Sequence, residues 1–362
     1  MFGRGVYGGF GRATRIIGRE LAKRNIEVTA VVPQRQRGAE REYQLNGMRI
    51  IEFAKSSILW TLSLYRAVDA DIYHSQEASL GTYMAMRAMP ERKHIVTFRD
   101  PMDRTARRIE WRYAGPDRLG WLKYRLYTDN FLVSRAVRRA DALFCAANFL
   151  IPKVQAKFVL QKPPLLLPTP VDVPDKVAKA AVPTVCFIAR WHRRKRPEAF
   201  FELAKDFPDV KFIAVGGTHE RKYEEFLRRK YSGIANLEMT GTIDQFETDR
   251  LSQILSRSWI LINTAAREGL PTTFLEAAAN RCAILSWVDP DGFASQFGYH
   301  AADGNLHQGL RFLLEDNRWA RCGERGFEYV RSIFASEVAM KAHVDRYREI
   351  LDEQPLPFET ST

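Results

Sequence analysis

The chain has 362 residues, 46% of them hydrophobic, and a formal net charge of +12. That length exceeds one comfortable core and calls for two domains, and the apolar content excludes wholesale disorder. The charge is uneven, with 29 Lys and Arg against 15 Asp and Glu up to Lys162 and 26 against 28 beyond it, so an anionic partner is expected for the first half only.

The start, Met1-Phe2-Gly3-Arg4, runs into glycines rather than an apolar core, so no signal peptide is read. The cluster Gly8-Gly9-Phe10-Gly11 then leads into a helix pattern over residues 13–24. It suits either close approach of backbone to a ligand or a structural turn. A doubly wound sheet supplies a central strand before such a loop. Here there is no room for one: either the recorded start is internal to the true reading frame, or the sheet has a gap. Gly3-Arg4-Gly5-Val6-Tyr7-Gly8 matches GxGxxG formally. No strand precedes it, and the next strand ends in Val32-Pro33-Gln34 without an acidic residue for a ribose, so a dinucleotide fingerprint is rejected.

Apolar runs follow at 27–32, 49–53, 71–74, 94–98 and 142–146, and the Pro-, Leu- and Val-rich stretch 161–181 reads as a linker. Beyond it, runs at 184–189, 211–216, 237–240, 259–264 and 282–287 alternate with helix-like stretches such as 197–206 and 220–230. Short continuous apolar runs alternating with helices indicate parallel sheets covered on both faces. The expected fold is α/β, with two Rossmann-like doubly wound domains facing a cleft. Residues 1–165 form the first and 166–335 the second, and a helical tail at 336–362 packs back on the first. The four cysteines are scattered without a CxxC pair, which suits reduced thiols in a cytosol. No uninterrupted run of about eighteen apolar residues occurs.

The most informative segment is Arg267-Glu268-Gly269-Leu270-Pro271-Thr272-Thr273-Phe274-Leu275-Glu276. Glu268 lies in a loop behind an apolar strand, and Glu276 lies inside the following helix. Pro271 suits the first helical position, which would leave the amides of Thr272, Thr273 and Phe274 pointing out at the positive end of the helix dipole. That is a seat for phosphate. A carboxylate on either side fits a diphosphate with a hydroxyl-rich group at each end, the shape of a nucleotide-sugar. Arg190-Trp191-His192-Arg193-Arg194-Lys195 follows the first strand of the second half. Arg190 and Lys195 facing the same ligand would neutralise a diphosphate leaving group as its charge develops.

Arg190-x4-Lys195 followed by Glu268-Gly-Leu-Pro-x4-Glu276-Ala resembles the retaining glycosyltransferases of family four, which have the two-domain GT-B fold. The resemblance covers nearly the whole chain, is strongest over 184–300, and implies a nucleotide-diphosphate-sugar donor with no cofactor and no metal. By position it implies that Arg190 and Lys195 grip the diphosphate, Glu268 contacts the transferred sugar, and Glu276 contacts the ribose. The amides from Gly269 and Leu270 to Thr272 and Thr273 would line the phosphate seat. Gly9 and Gly11 match the loop that closes on donor and acceptor. Two departures stand out. The family often has a glycine after the lysine, where this chain has Arg196-Pro197. Members also commonly place a histidine near the end of the strand at 94–98, where this chain reads Thr97-Phe98-Arg99-Asp100; Arg99 or Asp100 would serve instead, and His74, ending the strand at 71–74, is either another cleft candidate or a structural residue.

Asp69-Ala70-Asp71 and Asp289-Pro290-Asp291 mimic a DxD metal motif, but one runs into a buried strand and the other lies in a Pro/Gly turn. The stretch 104–139 mixes Arg and Lys with Trp and Tyr. It suits an anionic membrane surface, an acceptor-binding insertion, a helix packing its rings inward, or a nucleic-acid patch. The preferred reading is a cytoplasmic glycosyltransferase acting on a glycan, lipid-linked or small-molecule acceptor, with no nucleic-acid partner; peripheral contact at the inner membrane surface stays one of the alternatives for 104–139. The rivals are an epimerase or phosphorylase on the same fold, a dinucleotide oxidoreductase, and a non-catalytic basic binding protein.

Overall fold

A computed structural model describes residues 8–34, 41–54, 58, 61–113, 118–218 and 220–351. The chain divides into two compact units. The first comprises Met1–Asp103, Ala114–Pro170 and Ser336–Thr362. The second comprises Val171–Ala335 together with Arg104–Tyr113, a helix that lies inside the first span in sequence.

The first unit opens with α1 (Gly9–Ala22), β1 (Thr29–Pro33), β2 (Glu42–Leu45), β3 (Met48–Phe53), α2 (Thr61–Val68), β4 (Ile72–Gln76), α3 (Leu80–Ala88) and β5 (Lys93–Phe98). After α4 (Arg104–Tyr113) of the second unit come α5 (Arg118–Thr128), α6 (Phe131–Arg139), β6 (Ala142–Cys145), α7 (Leu150–Phe158) and β7 (Leu165–Leu166). All five expected strands are present, but they do not form one sheet. β1-β3-β2 is one sheet, with β2 antiparallel to β3, and β4-β5-β6-β7 is a second, all parallel.

Three features differ from expectation. Helix α1 begins at Gly9, with Gly8 as its N-cap, so Gly9 and Gly11 lie in the first turn of a helix rather than in a loop. The buried face of Ala13, Ile16, Ile17 and Leu21 keeps helical spacing and carries the helix back through the glycines. Strand β2 is short and half-polar. Its signal was Asn46-Gly47, both at positive φ, a pair that closes a tight hairpin onto β3. The expected linker contains β7, which pairs with β6 as a sheet edge. The GxGxxG match at Gly3–Gly8 falls outside the described residues, apart from Gly8.

The second unit continues with β8 (Thr184–Ile188), α8 (Pro197–Lys205), β9 (Lys211–Val215), α9 (Arg221–Tyr231), β10 (Leu237–Gly241), α10 (Arg250–Arg257) and β11 (Ile260–Asn263). Then come α11 (Thr272–Ala279), β12 (Ala283–Ser286), α12 (Phe293–Phe297), β13 (Gly298–His300), α13 (Leu306–Leu314) and α14 (Arg318–Ile333). The last helix, α15 (Ser336–Ile350), groups with the first unit. The six strands form one parallel sheet in the order β10-β9-β8-β11-β12-β13. Two apolar clusters cover it. Phe187, Trp191, Phe200, Phe201 and Phe212 belong to one, and Leu261, Phe274, Leu275 and Phe293 to the other. Burying one such aromatic contributes about 1.5–3 kcal/mol. The strand order reverses between β8 and β11, and in open parallel sheets a ligand crevice lies beyond the carboxyl ends of the strands at that reversal.

Candidate active site

Both motif loops leave the two strands that flank the reversal. The chain leaves β8 at Ile188, and Trp191 then turns inward, fully buried against Phe201 at 5.5 Å between ring centroids. That anchor leaves Arg190 exposed at the loop's start. The Trp191 amide donates to the Gly217 carbonyl (2.8 Å). Gly216 has φ +143°, and a Cβ there would sit 1.9 Å from the Ala189 carbonyl oxygen, so only glycine lets β9's end pass this loop.

The residues that follow form a short 3₁₀ turn, Arg193–Lys195, whose N-cap His192 accepts the Arg194 amide on Nδ1 (3.2 Å). The turn is fastened to the loop after β11. Thr264 Oγ1 donates to the carbonyls of Lys195 (2.6 Å) and Arg196 (2.9 Å), and the Ala266 amide donates to the Arg194 carbonyl (2.9 Å). Arg196 has φ +46°, the left-handed conformation that favours glycine. This explains how the chain departs from the related sequences that carry glycine after the lysine. The Arg196 Nε donates to the Thr264 carbonyl (2.9 Å) and its guanidinium lies 3.9 Å from the centre of the Trp287 ring, contacts that offset the strain.

These ties bring Lys195 Nζ against Glu268 Oε1 as an ion pair, with side chains 15% and 13% exposed. Asn263, which ends β11, donates from Nδ2 to the same carboxylate oxygen at 3.4 Å and accepts the Ala265 amide on Oδ1 (2.9 Å). Burial raises the Glu268 carboxyl, but the Lys195 ammonium more than offsets this and holds it below the usual carboxylate range. Burial also pulls the Lys195 ammonium down. Glu268 opposes that pull, and the nearby charges of Arg194 and Arg190 reinforce it. A second charge cluster braces the pair: Arg194 and Arg267 both donate to Glu110 Oε1 of α4, the latter at 2.7 Å.

Helix α11 starts at Thr272, one position later than expected, with Pro271 as its N-cap. The Phe274 amide donates to the Pro271 carbonyl (3.0 Å), so it does not join the outward-pointing set expected from the sequence. Among the described residues, the amides of Thr272 and Thr273 take no hydrogen-bond acceptor. Gly269 is buried, Leu270 is half-buried, and Glu276 follows in the helix's second turn. Of the paired aspartates, Asp69 and Asp71 are both bound by Arg92 (2.8 and 3.0 Å), and Asp289 caps the amides of Ala294 and Ser295.

The remaining candidates lie in the first unit. His74 is held on both ring nitrogens, by the Tyr347 hydroxyl on Nδ1 and Thr97 Oγ1 on Nε2, each at 2.7 Å. Burial pushes its pKa well below the ordinary value, and His343 and Arg99 add to the effect. Arg99 is buried, bonded to Gln76 Oε1 (3.0 and 2.7 Å) and Thr169 Oγ1 (2.7 Å), and burial lowers it to about 10. Asp100 is half-buried at the end of β5, and its amide donates to Glu77 Oε2 (3.0 Å). Sequence reasoning missed Asn263, Thr264, Glu110 and the Gly216-Gly217 pair. The glycine pair directly after an apolar strand was the signal for the last.

Comparison with known proteins bears on the family and the fold. Residues 172–324 match the family model described as glycosyl transferases group 1, and residues 7–174 match that described as glycosyltransferase family 4. Among solved structures, sucrose-phosphate synthase from Thermosynechococcus elongatus is 16% identical, with a TM-score of 0.73 over 95% of this chain and 94% of that one. A glycosyltransferase from Rickettsia africae is 14% identical, with a TM-score of 0.70 over 97% of each chain. HepE from Anabaena, solved with UDP-glucose, is 13% identical, with a TM-score of 0.67 over 95% and 97%. No curated protein matches the sequence. With its two α/β domains of GT-B type and these matches spanning residues 7–324, the chain belongs to glycosyltransferase family four and is a glycosyltransferase.

Proposed function

We propose that this enzyme transfers a sugar, with retention of configuration, from a nucleoside-diphosphate sugar seated at the β8–β11 reversal, and that it needs neither metal nor cofactor. The observation that carries this reading is the Lys195–Glu268 pair, held between the two loops that flank the reversal. In this reading the donor diphosphate enters between Lys195, Arg190 and the amides of Thr272 and Thr273. Lys195 turns from the carboxylate to the phosphate, and Glu268 is left to accept hydroxyls of the transferred sugar. Gly269 and Leu270 line the seat, and Glu276 accepts the ribose hydroxyls. As the glycosidic bond breaks, negative charge collects on the diphosphate, where preorganised cations and amides stabilise it most. A donor phosphate oxygen accepts the acceptor proton on the same face, which retains configuration. Gly9 and Gly11 are assigned to donor and acceptor binding, and His74 and Asp100 to the catalytic set. Uridine diphosphate sugars are the first donors to test, because HepE was solved with UDP and with UDP-glucose.

We further propose a membrane-surface location for the acceptor. No residue of α5 is buried, and Leu119, Leu122 and Leu126 line one exposed face beside Arg118, Lys123 and Arg125. Among the described residues no helix is long and apolar enough to cross a membrane, so contact would be peripheral. The four cysteines are free and buried, which supports a reducing cytoplasmic setting.

The test is a thermal-shift screen with UDP, GDP and ADP sugars, with and without EDTA, followed by turnover of the best donor with the product anomer assigned by NMR. A midpoint rise with one donor family and EDTA-insensitive transfer with retention are expected. Inversion, loss of activity in EDTA, or no response to any donor would overturn the reading.

A further inference from the structure

In the basic run after β8, Arg194 pairs with Glu110 and Lys195 with Glu268. Arg196 pairs with no carboxylate. Its Nε donates to the Thr264 carbonyl (2.9 Å), and its guanidinium lies over the Trp287 ring, 3.9 Å from the centre. Among the described residues its two terminal nitrogens take no acceptor, and neither is sealed from solvent. The residue is half-buried. Burial pulls its pKa below the ordinary value; Tyr113 opposes this and Arg112 adds to it. A guanidinium in that setting has given up part of its water without gaining an anion, which is costly.

The side chain is nevertheless fixed. Arg196 sits at φ +46° and ψ +54°, a conformation that glycine takes freely and arginine does not. Trp287 is anchored in turn, because its Nε1 donates to the Gly304 carbonyl (2.9 Å). With backbone, Nε and one ring face all held, the edge made by Nη1 and Nη2 is left as a rigid open fork. That edge matches the two oxygens of one carboxylate. A strained residue held this firmly, with its donors left over, marks a site prepared for a ligand.

The location of the fork selects the ligand group. Trp287 directly follows β12, and in the order β8-β11-β12 it stands on the far side of β11 from the strand that leads to Arg190. The proposed diphosphate seat, at the loop after β8 and the start of α11, has its own cations and amides. Thr264, which holds the Arg196 Nε, directly follows Asn263, whose side-chain amide reaches Glu268 (3.4 Å). Glu268 is the residue assigned to the transferred sugar. We propose, on the donor site set out above, that Arg196 binds a carboxylate on the transferred sugar. The donor is then a nucleoside-diphosphate uronic acid rather than a neutral hexose.

The experiment measures Kd by calorimetry for UDP, UDP-glucose and UDP-glucuronic acid with the wild type, Arg196→Lys and Arg196→Gly. A parallel set uses GDP, GDP-mannose and GDP-mannuronic acid. Glycine suits the φ of this position, so the loop keeps its path in that variant. The wild type should bind the acidic sugar at least about 10-fold tighter than its neutral counterpart, the scale of one charge-assisted bidentate contact. That ratio should fall to near one in Arg196→Gly. It should also fall in Arg196→Lys, which keeps the charge and loses the fork. Equal binding of acidic and neutral sugars by the wild type would overturn the proposal and leave the donor site standing. A loss in Arg196→Gly shared equally by the free nucleotide and both sugars would assign the residue to the diphosphate, and overturn it as well. So would Arg196-dependent binding of free glucuronate to the UDP complex with a wild-type ratio near one, which would move the carboxylate to the acceptor. Binding of no nucleotide or sugar in either set would overturn the donor site itself, and this assignment with it.

Discussion

Lys195 and Glu268 are two residues of one interaction, and substitutions should treat them so. Truncating one partner of a largely buried pair leaves the other charge uncompensated and costs about 3–5 kcal/mol. Lys195→Ala and Glu268→Ala would therefore lose stability as well as turnover. Glu268→Gln keeps the volume and a hydrogen-bonding oxygen, and is the cleaner probe. It should lower kcat by at least about 100-fold, the scale set by removal of one transition-state contact, while its melting temperature in saturating donor stays near that of the wild type. Wild-type kcat in Glu268→Gln would remove this carboxylate from the site. A second residue-scale effect concerns His343, buried in the first unit with Nε2–H donating to the Pro168 carbonyl (3.0 Å). Burial lowers its pKa to about 4 from an ordinary 6.5. The unfolded chain then binds more protons than the folded one between those values. The stabilisation is complete above about pH 6.5 and is lost as pH falls towards 4, on the order of 3 kcal/mol. Equilibrium unfolding of wild type and His343→Phe across that window should give a steeper slope for the wild type, although the neighbouring His74 retains part of the dependence.

At the scale of elements, the site depends on the loop after β8, which fits only if β9's end can pass close against it. Gly216 makes that possible. Gly216→Ala places a methyl against the Ala189 carbonyl at a φ that alanine resists, and should cost about 3 kcal/mol or more. Because the displaced loop carries Arg190 and Lys195, donor affinity should fall together with Tm. A variant that melts early but binds donor normally in the cold would show that the loop does not depend on this passage. The hairpin turn Asn46-Gly47 and the Pro197 start of α8 are simpler cases, in which local residue type dictates the element.

For the whole molecule, the charge asymmetry and the exposed face of α5 point to one measurable behaviour. Binding to vesicles containing anionic phosphatidylglycerol should weaken steeply with salt, and should fall several-fold in the double variant Leu119→Ser and Leu126→Ser with donor binding unchanged. Equal binding to neutral and anionic vesicles would argue against a headgroup surface.

Much of this architecture is legible in the chain itself. Ten continuous apolar runs mark ten of the strands, because a strand covered on both faces has no polar side to show. The segment from Arg267 to Glu276 marks the candidate site, because a helix capped by a proline behind a buried strand carries its candidate chemistry in consecutive residues. The sequence could not give the partners of those residues. That Arg196 adopts a glycine-like φ, that Glu110 lies 157 positions from Arg267 and braces it, and that Asn263 shares the Glu268 carboxylate all depend on non-local contacts. The split sheet of the first unit is of the same kind. Local pattern specifies a strand, but which edge meets which is decided only when helices pack on both faces and fix the spacing between strands.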